Sequence, residues 1–85
     1  MRKIIDDYDL KGLENFGYFK NGNYNYLKYL IDKDYYLDCI QINLQTREIS
    51  RHIKEIYVPE VKCKRVANSC IQDLIDFGIV EKVEE

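Results

Sequence analysis

Apolar and polar residues alternate in short runs between residues 16 and 53, which is the pattern of β-strands in a sheet. Successive side chains of a strand point to opposite faces, and in residues 24–31 both faces would carry aromatic rings. One face would hold Leu27, Tyr29 and Ile31, and the other Tyr24, Tyr26 and Lys28. The alternation predicts a sheet with helices on one side and a tyrosine-bearing face left open on the other.

Turn-forming residues divide these runs into a meander. Asn21-Gly22-Asn23 tolerates positive φ and therefore predicts a tight hairpin between strands at 16–20 and 24–31. Asp32-Lys33-Asp34 marks the next turn, before a strand at 35–44, and Gln45-Thr46-Arg47 marks the turn after it.

The strand at 35–44 changes phase, because its apolar residues occupy odd positions up to Cys39 and even positions from Ile40 onward. One extra residue would restore the alternation, so the pattern predicts a β-bulge near Cys39 and Ile40. The alternative is a central strand that is buried on both faces for part of its length.

Residues 48–53 fit two descriptions. We favour a strand, since a hairpin would place Ile42 and Leu44 opposite Ile49. A helix is the alternative, because Ile49, Ile53, Ile56 and Tyr57 also have helical spacing.

Helix signals flank the meander. Asp9 and Gly17 are suited to begin and end a short helix. From Pro59 to Phe77 the spacing predicts a core helix of about five turns, with an apolar stripe of Val66, Ala67, Cys70, Ile71, Leu74 and Ile75. Gly78 would end this helix, Ile79 would pack back on its last turn as in a Schellman motif, and 80–83 would form a short edge strand.

These elements predict one α+β domain over residues 1–85. Its antiparallel sheet would contain three to five strands in a meander, with the C-terminal core helix and the short N-terminal helix packed on one face.

Composition narrows the class of protein. The chain is 46% apolar and 13% aromatic, which indicates a globular fold. Its net charge of −2 disfavours nucleic acid as a partner. No segment has the length of a membrane span or the pattern of a signal peptide, and the odd number of cysteines favours reduced thiols, so we expect a cytoplasmic protein with no membrane partner.

Catalytic and metal signatures are weak. His52 is the single histidine, so a triad would need it beside Cys39, Ser50 or another nucleophile and an acid, and none of these has a known nucleophile context. No cysteine pair has the two-residue spacing of a zinc knuckle. We therefore predict no catalytic, metal or cofactor residues, no cofactor, and a protein that is not an enzyme. A Cys39–His52 pair is the enzymatic alternative.

The predicted function is protein–protein interaction through the tyrosine-rich sheet face, with another protein or a second copy as partner. Tyrosine offers a large apolar area, few rotatable bonds and a hydroxyl. The candidate partner-binding residues are Tyr18, Lys20, Tyr24, Tyr26 and Lys28. One alternative is binding of single-stranded nucleic acid, with bases stacked on tyrosines and phosphates held by Lys20, Lys28, Arg47 and Arg51. Another is a homodimeric structural protein with no ligand, whose tyrosines only stabilise a solvated sheet.

Three stretches carry a family resemblance. They are residues 9–17 leading into the meander, Thr46-Arg47-Glu48-Ile49 at a hairpin, and residues 73–83 at the end of the chain. In this layout, and in its heavy use of Ile, Lys, Asn and Tyr, the chain resembles small proteins encoded by prophages and mobile elements of AT-rich Gram-positive bacteria. The resemblance implies a biological setting and no activity.

Overall fold

A computed structural model describes residues 1–83 and shows a seven-stranded antiparallel sheet with few helices. The strands are β1 (Arg2–Ile4), β2 (Phe19–Asn21), β3 (Asn25–Lys33), β4 (Tyr36–Asn43), β5 (Glu48–Glu55), β6 (Val61–Cys63) and β7 (Val80–Lys82). Their order across the sheet is β2-β3-β4-β5-β1-β7, and β6 also pairs with β5. Two 3-10 helices, Leu10–Phe16 and Asn68–Cys70, and one α-helix, α1 (Gln72–Phe77), complete the fold.

The central meander of β3, β4 and β5 confirms the predicted strands. The predicted turn at Asp32-Lys33-Asp34 is shifted, because Asp32 and Lys33 still pair with Leu37 and Tyr36 and the chain turns at residues 34–35. Ile42 of β4 lies opposite Ile49 of β5, so residues 48–53 are a strand and the helical alternative is wrong. The turn between them is held by Asn43, whose Oδ1 accepts hydrogen bonds from the backbone N–H groups of Gln45 at 2.8 Å and Thr46 at 2.9 Å.

The predicted β-bulge near Cys39 and Ile40 is wrong, because the irregularity lies in the neighbouring strand. The register shifts between Tyr29 and Ile31 of β3, which leaves Leu30 as the extra residue. In β4 itself, residues 38–40 are buried in succession. The alternative prediction, a central strand buried on both faces for part of its length, is thus the correct one for this stretch of β4.

The ends of two helices form as the sequence predicts. Asp9 Oδ1 accepts from the Lys11 N–H at 3.0 Å, and Gly17 ends that 3-10 helix at a φ of 86°. At the end of α1, Gly78 has a φ of 82° and donates to the Ile75 carbonyl, while Ile79 donates to the Leu74 carbonyl. This pair of bonds is the Schellman motif.

The predicted five-turn helix from Pro59 to Phe77 is wrong, and so is the strand count of three to five. After Tyr57, where φ is 70°, the chain turns back and β6 pairs with the edge of β5. A strand at this edge supplies hydrogen-bond partners to β5 that a helix could not. Helical structure is confined to Asn68–Cys70 and α1.

The added strands β1 and β6 are each three residues long, which is too short for alternation to reveal them. The C-terminal edge strand was predicted and is observed as β7. Among residues 1–83, no helix is long and apolar enough to cross a membrane.

The main core lies on one face of the sheet, which we call the covered face. Cross-strand pairing places Tyr26, Ile42 and Ile49 on this face, where they pack with residues of the helices. Its fully buried members are Ile4, Leu13, Ile40, Ile42, Ile49, Ile71 and Leu74. The opposite side of the sheet, which we call the open face, carries Phe19, Leu27, Tyr29, Cys39, Gln41, Ser50 and His52.

Candidate functional site

The five predicted partner-binding residues do not form one open surface. Lys20 pairs with Tyr26, Tyr26 with Ile42, and Lys28 with Ile40, so they belong to the covered face. The core cluster includes Tyr26 and Tyr18, which are 5% and 3% exposed. Tyr24, in the hairpin turn, is 78% exposed. The helices therefore cover the face that the sequence analysis expected to be open.

Lys28 joins the sheet to α1. Its Nζ lies 3.2 Å from Asp73 Oδ2 and 5.4 Å from the ring centroid of Tyr18. The Tyr18 hydroxyl is buried and has no hydrogen-bond partner among residues 1–83. Burial, with a contribution from the Asp73 charge, raises the pKa of Tyr18 above its usual value. The lysine and the tyrosine thus contribute to internal packing.

Two arginines proposed for nucleic-acid binding also stabilise the fold. Arg47 donates to two backbone carbonyls of the loop after β1, at 3.0 and 2.6 Å. Arg51 donates to Asp38 at 2.9 Å from Nε and 2.5 Å from Nη2, and these bonds raise the pKa of Arg51 above its usual value. Of the four cations in that hypothesis, Lys20 alone is exposed.

An aromatic pair lies on the open face at the β2 edge. The rings of Phe19 and Tyr29 have centroids 5.4 Å apart and planes inclined at 46°, and both side chains are about two-fifths exposed. Leu27, directly opposite Phe19, is buried. The pair therefore presents apolar ring surface to solvent above a packed residue.

A row of amide side chains continues from this pair across the open face. Asn21 Nδ2 donates to Asn25 Oδ1 at 3.4 Å, and Asn25 Nδ2 donates to Gln41 Oε1 at 3.1 Å. A cavity of about 40 Å³ adjoins the row and is lined by Asn25, Gln41, Asn43, Glu48, Ser50 and Lys62. Each amide keeps hydrogen-bonding capacity beyond these contacts, because it has two donors and two acceptor sites.

Ser50, His52 and Glu60 form a hydrogen-bonded chain at the other end of the row. Ser50 Oγ lies 3.1 Å from His52 Nε2, and His52 Nδ1 lies 2.6 Å from Glu60 Oε1. Serine hydrolases connect their three catalytic groups in this order. However, Ser50 is buried, and the adjacent cavity has room for one or two water molecules rather than a substrate. The contacts tie the segment before β6 to β5.

The sequence analysis considered Ser50 beside His52 but missed Glu60, which it assigned to a helix. The His52–Glu60 contact depends on the turn before β6, so no local pattern indicates it. Cys39 lies opposite His52 on β4, but it is 2% exposed and burial raises the pKa of its thiol. A raised pKa disfavours the thiolate that a nucleophile requires.

Within residues 1–83, no group of three histidine, cysteine, aspartate or glutamate side chains is arranged to hold a metal ion. Comparisons of the chain with protein-family models, curated proteins and solved structures found no match.

Proposed function

We propose that this protein is a non-enzymatic binding module whose open sheet face contacts a protein partner. The observation that carries the proposal is the exposed Phe19–Tyr29 pair on a face where the core helices do not pack. This proposal retains the function predicted from the sequence, but it assigns the binding surface to the opposite side of the sheet.

The chemistry of this surface suits a protein interface. Aromatic rings contribute large contact areas at a low entropic cost, and they are enriched among the residues that dominate binding energy. The amides of Asn21, Asn25 and Gln41 lie beside the rings and can exchange hydrogen bonds with backbone or polar groups of a partner.

The charges of the open face favour a protein over a nucleic acid. Lys3, on the same face, is paired with Asp6 at 3.0 Å and with Glu81 at 3.4 Å. Hydrogen bonding to Asp6 raises the pKa of Lys3 and lowers that of Asp6. Lys3 remains charged, but two carboxylates balance its charge, so it gives little attraction for a phosphate backbone.

Two features of the open face support binding rather than catalysis. The Cys39 thiol is buried with a raised pKa, and Ser50 adjoins a cavity of only about 40 Å³. A buried thiol, and a serine beside a cavity of this size, give a substrate no room to meet an activated nucleophile.

Site-specific crosslinking tests the proposal. Replacing Tyr29 with benzoylphenylalanine keeps an aromatic ring at the surface, and irradiation in the native host should give a discrete protein adduct. The adduct should disappear when Phe19→Ser is added. The same crosslinker at Tyr35, which is 63% exposed in the hairpin turn after β3, is the matched control and should give none.

Light scattering on the purified protein identifies the partner class. A concentration-dependent dimer that Phe19→Ser dissociates would make the partner a second copy, whereas a monomer with a heterologous adduct would make it another protein. An adduct that persists with Phe19→Ser, or appears equally from position 35, would contradict the proposed surface. Thermal unfolding of Phe19→Ser checks that the fold is intact.

A further inference from the structure

A second feature, away from the open-face surface, concentrates positive charge. An open cavity of about 300 Å³ is lined by Met1, Arg2, Lys64, Arg65, Val66 and Lys82. Four of these residues are lysine or arginine, and none is acidic. The whole chain has a net charge of −2, so this concentration is a local property of the fold.

Strand pairing explains how residues distant in sequence meet here. Arg2 of β1 lies opposite Ile49 of β5, and Cys63 of β6 lies opposite Arg51, two residues further along the same strand. Lys64, which follows β6, is therefore brought towards Arg2. On the other side of β1, Lys82 of β7 lies directly opposite Arg2.

This arrangement brings like charges close together. Like charges directly opposite one another in a sheet are destabilising, and Arg2 faces Lys82 in this way. Among residues 1–83, no carboxylate forms an ion pair with Arg2, Lys64, Arg65 or Lys82.

The guanidinium of Arg2 provides an independent observation. Its Nη1 is buried and has no hydrogen-bond partner among the described residues. A buried donor without an acceptor is destabilising, and more so when the group is charged. An anion in the adjoining cavity would supply the missing acceptor.

We propose that this basic cavity binds the phosphate group of a small phosphorylated molecule. Arginine offers paired N–H donors that match phosphate oxygens, and lysine adds a compact charge. Arg2 and Lys82 also line a neighbouring cavity of about 180 Å³, together with Asn68, Ile75, Val80 and Glu81. Glu81 is paired with Lys3 at 3.4 Å, and Ile75 and Val80 provide an apolar wall for the uncharged part of the ligand.

Titration calorimetry at low ionic strength, with inorganic phosphate and pyrophosphate as probes, tests the site on the full chain. We expect saturable binding that weakens about tenfold or more in Lys64→Gln, Arg65→Gln, because the variant removes two charged hydrogen-bond donors for the phosphate oxygens. Both side chains are exposed, so this variant should keep the fold. The matched control, Lys11→Gln, Lys20→Gln, makes the same change in net charge at exposed residues outside the cavity and should change binding less than about twofold.

The same titration in a second variant of the chain makes the test decisive. Glu84 and Glu85 follow the cavity residues closely in sequence, so the titration is repeated in Glu84→Gln, Glu85→Gln, which lacks these two carboxylates. Saturable binding in either background that depends on Lys64 and Arg65 supports the site. The proposal would be overturned if neither background showed saturable binding. It would also be overturned if the control Lys11→Gln, Lys20→Gln weakened binding as much as Lys64→Gln, Arg65→Gln. Binding of an oligonucleotide that pyrophosphate does not displace would overturn the small-molecule assignment.

Discussion

The covered and open faces belong to the same strands but are stabilised in different ways. On the covered face, Ile40, Ile42 and Ile49 are fully buried, so apolar burial dominates. On the open face, the Phe19–Tyr29 rings remain partly exposed and polar side chains are linked by hydrogen bonds. Substitutions of the partly exposed Phe19 and Tyr29 should therefore change binding with little loss of stability, whereas substitutions of the buried isoleucines on the covered face should unfold the protein first.

The largest effect is expected for Ile40→Ala on the covered face. Removing this fully buried side chain should lower the free energy of unfolding by about 2–5 kcal/mol, through lost burial and a cavity. Urea denaturation measures the loss. Ile31→Ala, at a residue that is 40% exposed, is the control and should cost about 1 kcal/mol or less. Equal losses of unfolding free energy in the two variants would contradict the expected difference between buried and exposed apolar residues.

The next effect separates two ion pairs of the covered face. Asp38→Asn removes the charge of a carboxylate that is 1% exposed, and it should cost about 2–4 kcal/mol because Arg51 loses its partner. Asp73→Asn breaks the more exposed Lys28 pair and should cost about 1 kcal/mol or less. Chemical denaturation of both variants decides the order, and a larger cost for Asp73→Asn would show that burial does not govern these pairs.

A smaller, local effect is expected on the open face. Glu60→Gln removes the charge from the 2.6 Å contact with His52 and should lower global stability by about 0.5–1 kcal/mol. Hydrogen exchange should accelerate at residues 61–63, which this contact helps to hold against β5. Glu14→Gln, at an exposed residue of the first 3-10 helix, is the control. Unchanged exchange in β6 would mean that the contact does not secure this edge.

The smallest effect at neutral pH is expected for Tyr18→Phe, which removes a buried hydroxyl that has no partner. Stability should be unchanged or slightly higher. Burial raises the pKa of Tyr18 above 10.0, so the unfolded chain loses this proton first and wild-type stability should fall as the pH rises above about 10.

Urea denaturation between neutral and alkaline pH tests this dependence. Tyr18→Phe should weaken the alkaline loss, whereas Tyr24→Phe, at an exposed tyrosine, should retain it. The raised pKa of Cys39 adds a fall that begins near pH 9.0 and is common to both variants. An identical alkaline loss in wild type and Tyr18→Phe would show that Tyr18 does not contribute.

Features specified by a few neighbouring residues could be predicted from the sequence. Gly17 and Gly78 both adopt positive φ at helix ends, and the Asn21-Gly22-Asn23 hairpin and the pairing of Ile42 with Ile49 follow from turn chemistry and alternation. These signals are local, so distant parts of the chain do not alter them.

Features decided by distant contacts could not be predicted. Val66, Ile71 and Leu74 are buried as the apolar stripe required, but pairing of β6 with β5 replaced the first part of the predicted helix, and its α-helical part is confined to Gln72–Phe77. Alternation in β3 correctly grouped Leu27 with Tyr29 and Tyr26 with Lys28, but the extra residue Leu30 moves Ile31 to the covered face, so its predicted place beside Leu27 and Tyr29 is wrong. Alternation also could not show which face the helices would cover. The cluster at Arg2 and Lys64 arises only when two short strands align along β5, so its residues carry no common sequence signal.

The extra residue Leu30 has a consequence for aggregation. Beyond its three pairs with β2, the outer side of β3 has no strand neighbour among the described residues, and it carries the exposed side chains of Tyr29 and Ile31. A flat apolar edge of this kind would recruit other chains into fibrils. The bulge interrupts a continuous ladder, and antiparallel pairing of two such edges about residues 30 and 31 would place Lys28 opposite Lys33. We expect the bulge and the facing lysines to oppose edge-to-edge pairing of two copies.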